Sequence, residues 1–289
     1  MEKTAIITDS NSGMPAEEAE RYNVLVVPMP VLINGKEYFE NVDIFQGEFF
    51  HIQKDDANII TTSQPSAGYL ARLWKETLKE YDSIVYIPMS SGLSSSCQTA
   101  GILAGDYDGR VQVVDNHRIS VTMYQSVLDA CTLRAQGHTA AEIKTILEAE
   151  AANSSIYIMV DTLKYLVKGG RITPAAAAMG SLLHIKPVLQ IQGGALDTFQ
   201  KCRGEHKARK VMLEAMRHDL DTRFKEEAER GEMALYYSCC GISREEEAAW
   251  QAVIQEAFPE FTVRGTPLSM SIAVHIGPGA LAIACARKI

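Results

Sequence analysis

The chain has 289 residues, of which 46% are hydrophobic and 22% charged, a balance typical of a folded globular protein rather than a disordered one. Its 28 Lys and Arg residues against 36 Asp and Glu residues give a formal charge of −8 at pH 7. An acidic surface repels phosphate backbones and anionic lipid headgroups, which argues against general nucleic-acid binding. The length is sufficient for two domains, each with its own core.

The sequence contains no pattern that targets it to a membrane or to an oxidising compartment. Its first residues are too polar for a signal peptide, and no apolar run reaches the roughly 18 residues of a membrane span. The cysteines have no CxxC spacing, so we predict buried, reduced thiols in a cytoplasmic protein and no zinc site. They are Cys97, Cys131, Cys202, Cys239, Cys240 and Cys285.

Strands and helices alternate along the first half of the chain. Strands are predicted over 4–8, 24–29, 83–88 and 110–114, and helices over 15–22, 43–55, 67–78, 97–103, 120–135 and 140–152. The pair Asn34-Gly35 lies between apolar segments, which predicts a hairpin over 31–39. The alternation predicts a mainly parallel sheet with helices on both faces.

A second unit is predicted to begin near Asn153, which divides the chain into domains 1–153 and 154–289. Its predicted elements are a strand over 156–160, a small-residue helix over 174–183, a hairpin over 186–200 and one long charged helix over 205–230. The segments 233–240, 243–257, 260–265 and 271–286 complete a mixed α/β domain. The fold class is therefore α/β with two different sheets.

Two hydroxyl-rich stretches precede predicted helices, 61–66 (Thr-Thr-Ser-Gln-Pro-Ser) and 90–96 (Ser-Ser-Gly-Leu-Ser-Ser-Ser). Unpaired N–H groups and the helix dipole make such helix starts suitable for binding an anion. Alternatively, the hydroxyls only cap the helices that follow. Two stretches, with Pro65 and Gly92 shaping their turns, favour a shared anion site without lysine or metal.

Three further segments each have a structural and a functional interpretation. Asp9 follows the first strand, where it caps the next turn or orients loop N–H groups. Arg171, after two glycines, belongs to a surface loop or reaches an anion. His275 is predicted at the end of an apolar strand before a Gly-Pro-Gly turn, as a structural residue or as a donor to a carboxylate.

Common catalytic and cofactor motifs are absent from the sequence. It contains no GxxxxGK[ST], GxGxxG, HExxH or GxSxG pattern. Serine, histidine and aspartate occur, but their spacing does not assemble a catalytic triad. These absences favour a binding protein over an enzyme.

Taken together, these segments resemble the DegV family of bacterial fatty-acid-binding proteins. The resemblance extends through the whole chain, over the segments 8–12, 61–66, 90–96, 169–172, 186–187 and 275–280. It implies a two-domain α/β fold that holds one long-chain fatty acid at the domain interface. In several members the bound acid is presented to a separate fatty acid kinase, which makes an acyl phosphate for phospholipid synthesis.

The resemblance also implies roles for individual residues and no cofactor, metal or catalytic residue. The carboxylate site would comprise Thr61, Thr62, His275 and one or both of Ser94 and Ser95. Ser63, Arg171 and Gly277 would be adjacent to the headgroup, and Arg203 would face the kinase. Two departures from the family pattern, Cys97 and Thr173-Pro174, would alter helix packing around the ligand.

Small and apolar side chains over 175–179 and at Leu182 and Leu183 are candidates for the tunnel wall, although ordinary helix packing explains them equally well. Two other functions stay open at this point. One is an acyl hydrolase or transferase that uses a serine with His275, and the other is a regulatory module that senses a lipid.

Overall fold

The structure is a computed structural model that describes residues 2–172 and 185–289. The first 153 residues form strands β1 Thr4–Asp9, β2 Val24–Val27, β3 Pro30–Ile33, β4 Lys36–Phe39, β5 Ile60–Thr62, β6 Ser83–Ile87 and β7 Val111–Val113. Their helices are α1 Ala16–Tyr22, α2 Gln46–Lys54, α3 Ala67–Thr77, α4 Ser96–Ala104, α5 Ser120–Ala135 and α6 Ala140–Ala149.

Four of these strands form the predicted parallel sheet, in the order β2-β1-β6-β7. Strands β1 and β6 are buried along their whole length because both faces of the sheet are covered. Side chains alternate between the faces, so Ile7 and Tyr86 pack with residues of α3 and α4, while Ile6 and Val85 pack with residues of α5. The prediction of a parallel sheet covered on both faces is confirmed.

A second, antiparallel sheet has the order β4-β3-β5. The predicted hairpin joins β3 to β4, and its turn residues Asn34 and Gly35 have φ of 52° and 81°. These left-handed angles are those of a type I′ turn, which explains the Asn-Gly pair. Strand β5 is formed by the first hydroxyl-rich stretch, which the sequence analysis did not assign to a strand.

The second half of the chain forms strands β8 Ser154–Met159, β9 Ile185–Ile191, β10 Leu196–Arg203, β11 Met233–Cys240, β12 Arg264–Pro267 and β13 Ala280–Arg287. The described helices are α7 Lys164–Gly169, α8 Glu205–Asp221, α9 Lys225–Glu229, α10 Arg244–Ala257 and α11 Met270–Ile276. The six strands make one mixed sheet in the order β10-β9-β8-β13-β11-β12, in which only β11 and β12 are parallel.

Two predictions for this half were wrong, the single helix over 205–230 and the strand position of His275, and the helix predicted over 174–183 lies outside the described residues. The segment 205–230 is two helices, because the chain breaks after α8 to bury Phe224. Within the segment 260–265, a strand begins only at Arg264. The segment 271–286 begins as helix α11, whose first N–H groups are capped by the Ser269 hydroxyl, and becomes a strand only at Ala280.

Helix α5 lies between the two large sheets and is buried on almost every side. Ile156, Ile158 and Ala282 of the mixed sheet belong to the same buried cluster as α5, whereas the opposite face of this sheet packs against α8 and α10. One continuous core therefore spans both halves, and the domain boundary at 153/154 stays a prediction.

Residues from the first half of the chain hold helix α11 in place. The side-chain amide of Gln53 donates to the carbonyl of Ala273 at 2.8 Å, and that of Gln46 donates to the carbonyl of Leu268 at 2.9 Å. The Met270 N–H donates to the carboxyl group of Glu40 at 2.9 Å. These contacts fix a helix from the end of the chain against the small sheet that contains Thr62.

Candidate functional site

A largely apolar cavity opens where the α5 sides of the two large sheets meet. It contains about 960 Å³ that protein atoms do not fill, including the part of its mouth that is open to solvent. Its described apolar lining consists of Met29, Met89, Leu93, Ile119, Val121, Ile156, Ile158, Leu166, Ile191, Leu196, Leu268, Ile272, Ile276 and Ala282.

The first polar feature of this cavity is the pair Thr62 and His275. Successive side chains of a strand point to opposite faces, so Thr62 of β5 lines the cavity while Thr61 is exposed on the other side. The hydroxyl oxygen of Thr62 lies 2.8 Å from Nε2 of His275. The two residues are 213 positions apart, and the contacts of α11 described above bring them together.

His275 lies in the last turn of α11, so its predicted position on a strand was wrong. The sequence analysis took a short apolar run for a strand, and periodicity alone cannot distinguish such a strand from a buried helical turn. On its other side the ring packs against Gly169, where an added Cβ would lie 2.1 Å from His275 Nδ1. Nδ1 is buried and has no hydrogen-bond partner among residues 2–172 and 185–289.

Burial, and secondarily the positive charge of Arg171, lowers the pKa of His275 to about 4. The imidazole is therefore neutral at pH 7 and carries one proton. If Nε2 carries that proton and donates to Thr62, the hydroxyl proton of Thr62 is free to donate to an anion. The pair can thus provide a donor without a net charge.

The second hydroxyl-rich stretch contributes Ser94 to the cavity. Its Oγ accepts the Ser96 N–H at 3.2 Å and lies 2.6 Å from Ser96 Oγ, next to the start of α4. Ser95 is exposed and is not among the described lining residues. Of the two serines that the sequence left open, the structure places Ser94 at the cavity.

The loop before Ser94 is held by the turn between β9 and β10. A Cβ on Gly92 would lie 2.4 Å from the carbonyl oxygen of Gly194, and the Ser90 hydroxyl donates to the same oxygen at 3.3 Å. Gly92 thus allows a close approach between the two halves of the chain. Asp9 acts on the same loop, since its carboxyl oxygens accept the N–H groups of Asn11 at 2.9 Å and Met89 at 3.1 Å.

The other candidate residues divide between the cavity and its surroundings. Ser63 and Arg171 line the cavity, and the Arg171 guanidinium donates to the Gly169 carbonyl at 2.7 Å. Gly277 is outside the described lining and ends α11, with its carbonyl accepting the Cys240 thiol at 2.9 Å. Arg203 is exposed at the end of the edge strand β10, away from the cavity.

The sequence analysis missed four residues of this site. Gly169 was noted only as part of a flexible turn, and its contact with His275 has no signal in the sequence. Ser120, Ser238 and Ser271 also line the cavity, but none of them belongs to a recognisable motif. The candidate tunnel residues 175–179, Leu182 and Leu183, and the departure at Thr173-Pro174, lie outside the described residues.

The arrangement favours binding over catalysis. Within the described part of the chain, no serine is hydrogen-bonded to His275 and no group orients its Nδ1, whereas a nucleophile and its base normally need both contacts. A histidine with a pKa of about 4 is also a weak general base at neutral pH. Neutral donors at the mouth of an apolar cavity can instead hold a carboxylate with a long apolar tail.

The cysteines offer no reactive alternative. All six are buried, as predicted, and burial raises the pKa of the Cys97, Cys239, Cys240 and Cys285 thiols to about 12. As for membrane insertion, every helix in the described ranges is too short or too polar to traverse a bilayer.

Comparison with known proteins gives matches along nearly the whole chain. Residues 3–288 match the family model described as "Uncharacterised protein, DegV family". The chain is 30% identical to a DegV domain-containing protein of Listeria monocytogenes, over 99% of each chain.

Two solved structures are similar in both sequence and fold. A DegV family protein from Thermus thermophilus, described for its fatty acid binding, is 31% identical with a TM-score of 0.87 over 99% of each chain. DegV from Bacillus subtilis, described as a fatty acid binding protein, is 28% identical with a TM-score of 0.85 over the full length of both chains. This similarity confirms the expected α/β fold with a parallel and a mixed sheet, to which the structure adds the small sheet β4-β3-β5.

Proposed function

Since this chain belongs to the DegV family, we propose that it binds one long-chain fatty acid, with the acyl chain along the apolar wall of the cavity. The observation that carries this proposal is the pairing of an apolar cavity with the Thr62–His275 hydrogen bond. Each buried methylene contributes about 0.8 kcal/mol, so a tail of roughly fifteen supplies at most about 12 kcal/mol before the cost of ordering it.

We assign the carboxylate to Thr62, Ser94 and His275. A carboxylate leaves water only if several donors replace its hydration, and the Thr62 and Ser94 hydroxyls provide neutral donors, with His275 orienting Thr62 through Nε2. Arg171 and Ser63 are adjacent to the headgroup at the mouth, where Arg171 adds attraction for the negative charge. Thr61, Ser95 and Gly277, which the family resemblance also suggested, lie outside the described cavity lining.

The wider role that we propose is delivery of the bound acid to a fatty acid kinase in the cytoplasm, for phospholipid synthesis. The protein would contain no catalytic group, and the kinase would supply ATP and metal. Arg203 is the candidate contact, because it is an exposed cation at the far end of edge strand β10, whose first residue, Leu196, lines the cavity. The two domains of this carrier would be 1–153 and 154–289.

The fatty-acid affinities of two variants with substitutions on strand β5 test the headgroup assignment. Thr62→Val should weaken oleate binding about tenfold, since it removes a hydroxyl from the carboxylate. Its matched control is Thr61→Val, which makes the same change one residue away on the exposed side of β5. Equal affinities for the two variants, or full retention of lipid by the double variant Thr62→Ala/Ser94→Ala, would contradict the assignment.

Two further measurements separate carriage from catalysis and identify the ligand. Native mass spectrometry of the purified protein, followed by denaturing lipid extraction, should show one fatty acid per chain. Incubation with acyl esters should give neither turnover nor an acyl-serine, and steady turnover would favour the hydrolase instead.

The kinase role has its own test. With a fatty acid kinase and ATP, Arg203→Ala should slow acyl-phosphate formation without changing fatty-acid affinity, whereas the exposed cation Lys225 on α9 should tolerate the same change. If no kinase uses the protein as its substrate carrier, the binding proposal stands and the delivery role fails.

A further inference from the structure

The inner wall of the cavity contains a hydroxyl group without a partner. Ser120 is only 6% exposed and lines the cavity between Ile119 and Val121. Its Oγ has no hydrogen-bond partner among the described residues. A buried hydroxyl in this condition is unfavourable, and such groups in folded proteins call for an explanation.

The backbone of Ser120 itself has an unfavourable conformation. Ser120 has a φ of 54°, in the left-handed region that non-glycine residues seldom adopt. It is the first residue of α5, a helix of 16 residues, so the unpaired N–H groups of a long helix begin beside it. Backbone strain of this kind persists where the surrounding fold requires one particular side-chain position.

Ser120 does not serve as the cap of this helix. The hydroxyl of Thr122 bonds to the backbone of Ile119, donating to its carbonyl at 2.8 Å and accepting its N–H at 3.4 Å. The N-cap position of α5 is Ile119, and no side chain in the described part of the chain caps the first N–H groups of this helix, so the Ser120 hydroxyl has no capping role. The hydroxyl proton of Ser120 stays free to donate.

Two other serine hydroxyls on the cavity wall, unlike that of Ser120, have hydrogen-bond acceptors in the protein. Ser238 donates to the carbonyl of Thr266 at 2.6 Å, and Ser271 donates to the side-chain oxygen of Asn11. Both use their protons on acceptors in the protein, although both residues also line the cavity. Of these three serines, Ser120 alone presents an unused donor to the ligand.

We propose that this cavity selects a long-chain fatty acid that carries an oxygen on its chain, as a hydroxy or oxo group, and that Ser120 donates a hydrogen bond to that oxygen. This inference rests on the proposed function and specifies its ligand. An unsubstituted chain leaves the Ser120 donor unpaired, whereas an oxygen at the matching position satisfies it. Sites built to bond a ligand oxygen discriminate against the analogue that lacks it.

The test compares stearate with a positional series of hydroxystearates on the delipidated protein. At least one isomer should bind about tenfold more tightly than stearate, as expected for one additional buried hydrogen bond. Ser120→Ala should remove this preference, so that the selected hydroxystearate binds no more tightly than stearate. Because alanine also disfavours a φ of 54°, Ser120→Gly is the second variant, which removes the hydroxyl and accepts that angle.

Ser238→Ala is the matched control, since it removes a wall hydroxyl whose proton is already used, and it should keep the preference. The inference is overturned if no hydroxystearate exceeds stearate, as expected if water satisfies Ser120, or if both Ser120 variants retain the preference. In those cases stearate still binds and the proposed function survives. If neither stearate nor any hydroxystearate binds, both proposals fail.

Discussion

Substitution of Gly169 by alanine tests how the histidine of this site is held. Gly169 is the last residue of α7, and the added methyl group would lie 2.1 Å from His275 Nδ1 and 3.0 Å from Cε1. Ordinary contacts of a Cβ begin near 3.4 Å, so the ring must retreat by roughly 1 Å. The backbone of Gly169 is not left-handed, so alanine itself is compatible with the helix.

The expected loss of affinity follows from the Thr62 contact. Because Gly169 and Thr62 contact opposite nitrogens of the ring, this shift pushes Nε2 toward Thr62 Oγ1, which is already only 2.8 Å away, so the ring must turn out of the hydrogen bond or displace Thr62. Loss of this bond and misalignment of the carboxylate donor together cost about 1–2 kcal/mol, or about 5- to 30-fold in Kd.

Displacement of a fluorescent fatty acid would measure this affinity, and thermal unfolding would show whether the fold survives. Gly101→Ala is the control, because this helical glycine of α4 has no atom within 4 Å of an added Cβ. It should bind like the unaltered protein. Wild-type affinity in Gly169→Ala would refute the reasoning, since either the ring is not held at Gly169 or it does not bind the carboxylate.

Three further predictions concern charge and the contact between the two halves of the chain. Burial raises the pKa of the Glu40 carboxyl group to about 7 from an ordinary value of 4.5. The contribution of this group to the free energy of unfolding is therefore complete below pH 4.5, where both states are protonated, and is lost as the pH rises to about 7 because only the unfolded state gives up its proton there. The free energies of unfolding measured in urea at pH 4.5 and pH 8 should therefore differ by about 3 kcal/mol less in Glu40→Gln than in the unaltered protein. An unchanged difference would contradict this assignment. The His275 ring signals in NMR spectra of the delipidated protein should stay constant between pH 5.5 and 8, because its pKa is near 4, and a midpoint near 6.5 would show an exposed ring. Gly92→Ala should lower the free energy of unfolding by about 1–3 kcal/mol, because its Cβ clashes with the Gly194 carbonyl. The control Gly105→Ala, whose Cβ meets no atom within 4 Å, should leave it unchanged. Equal stability of the two variants would count against the close contact.

Local patterns predicted those parts of the fold that depend on local interactions. The parallel sheet follows from alternating strands and helices, and the Asn34-Gly35 turn follows from two left-handed angles that few other residue pairs adopt. Helix α4 begins one residue before its predicted start, directly after Ser95. These features depend only on residues that are close together in the sequence, so local patterns are sufficient to predict them.

The site itself depends on contacts between distant residues. His275 was placed on a strand because seven residues of α11 are too few to show a helical period. Only the conformation of strand β5 shows that Thr62 and not Thr61 lines the cavity, and no local pattern in the sequence predicts the pairing of β5 with β3. The left-handed angle at Ser120 is likewise imposed by its surroundings, since serine has no preference for it.

Arg171, the cation that we propose near the headgroup, affects two properties of the proposed site. The charge of Arg171 contributes to the low pKa of His275, which keeps the imidazole neutral, and the same charge attracts a carboxylate. A bound carboxylate offsets that charge, so we expect the pKa of His275 to rise when the ligand binds. By linkage, protonation of His275 and binding of the acid then favour each other, and Arg171→Gln should raise the pKa in the empty protein more than in the loaded one. In the proposed site, neutral hydroxyls with a neutral imidazole to orient them avoid the buried, unpaired charge that a lysine would have when the cavity is empty.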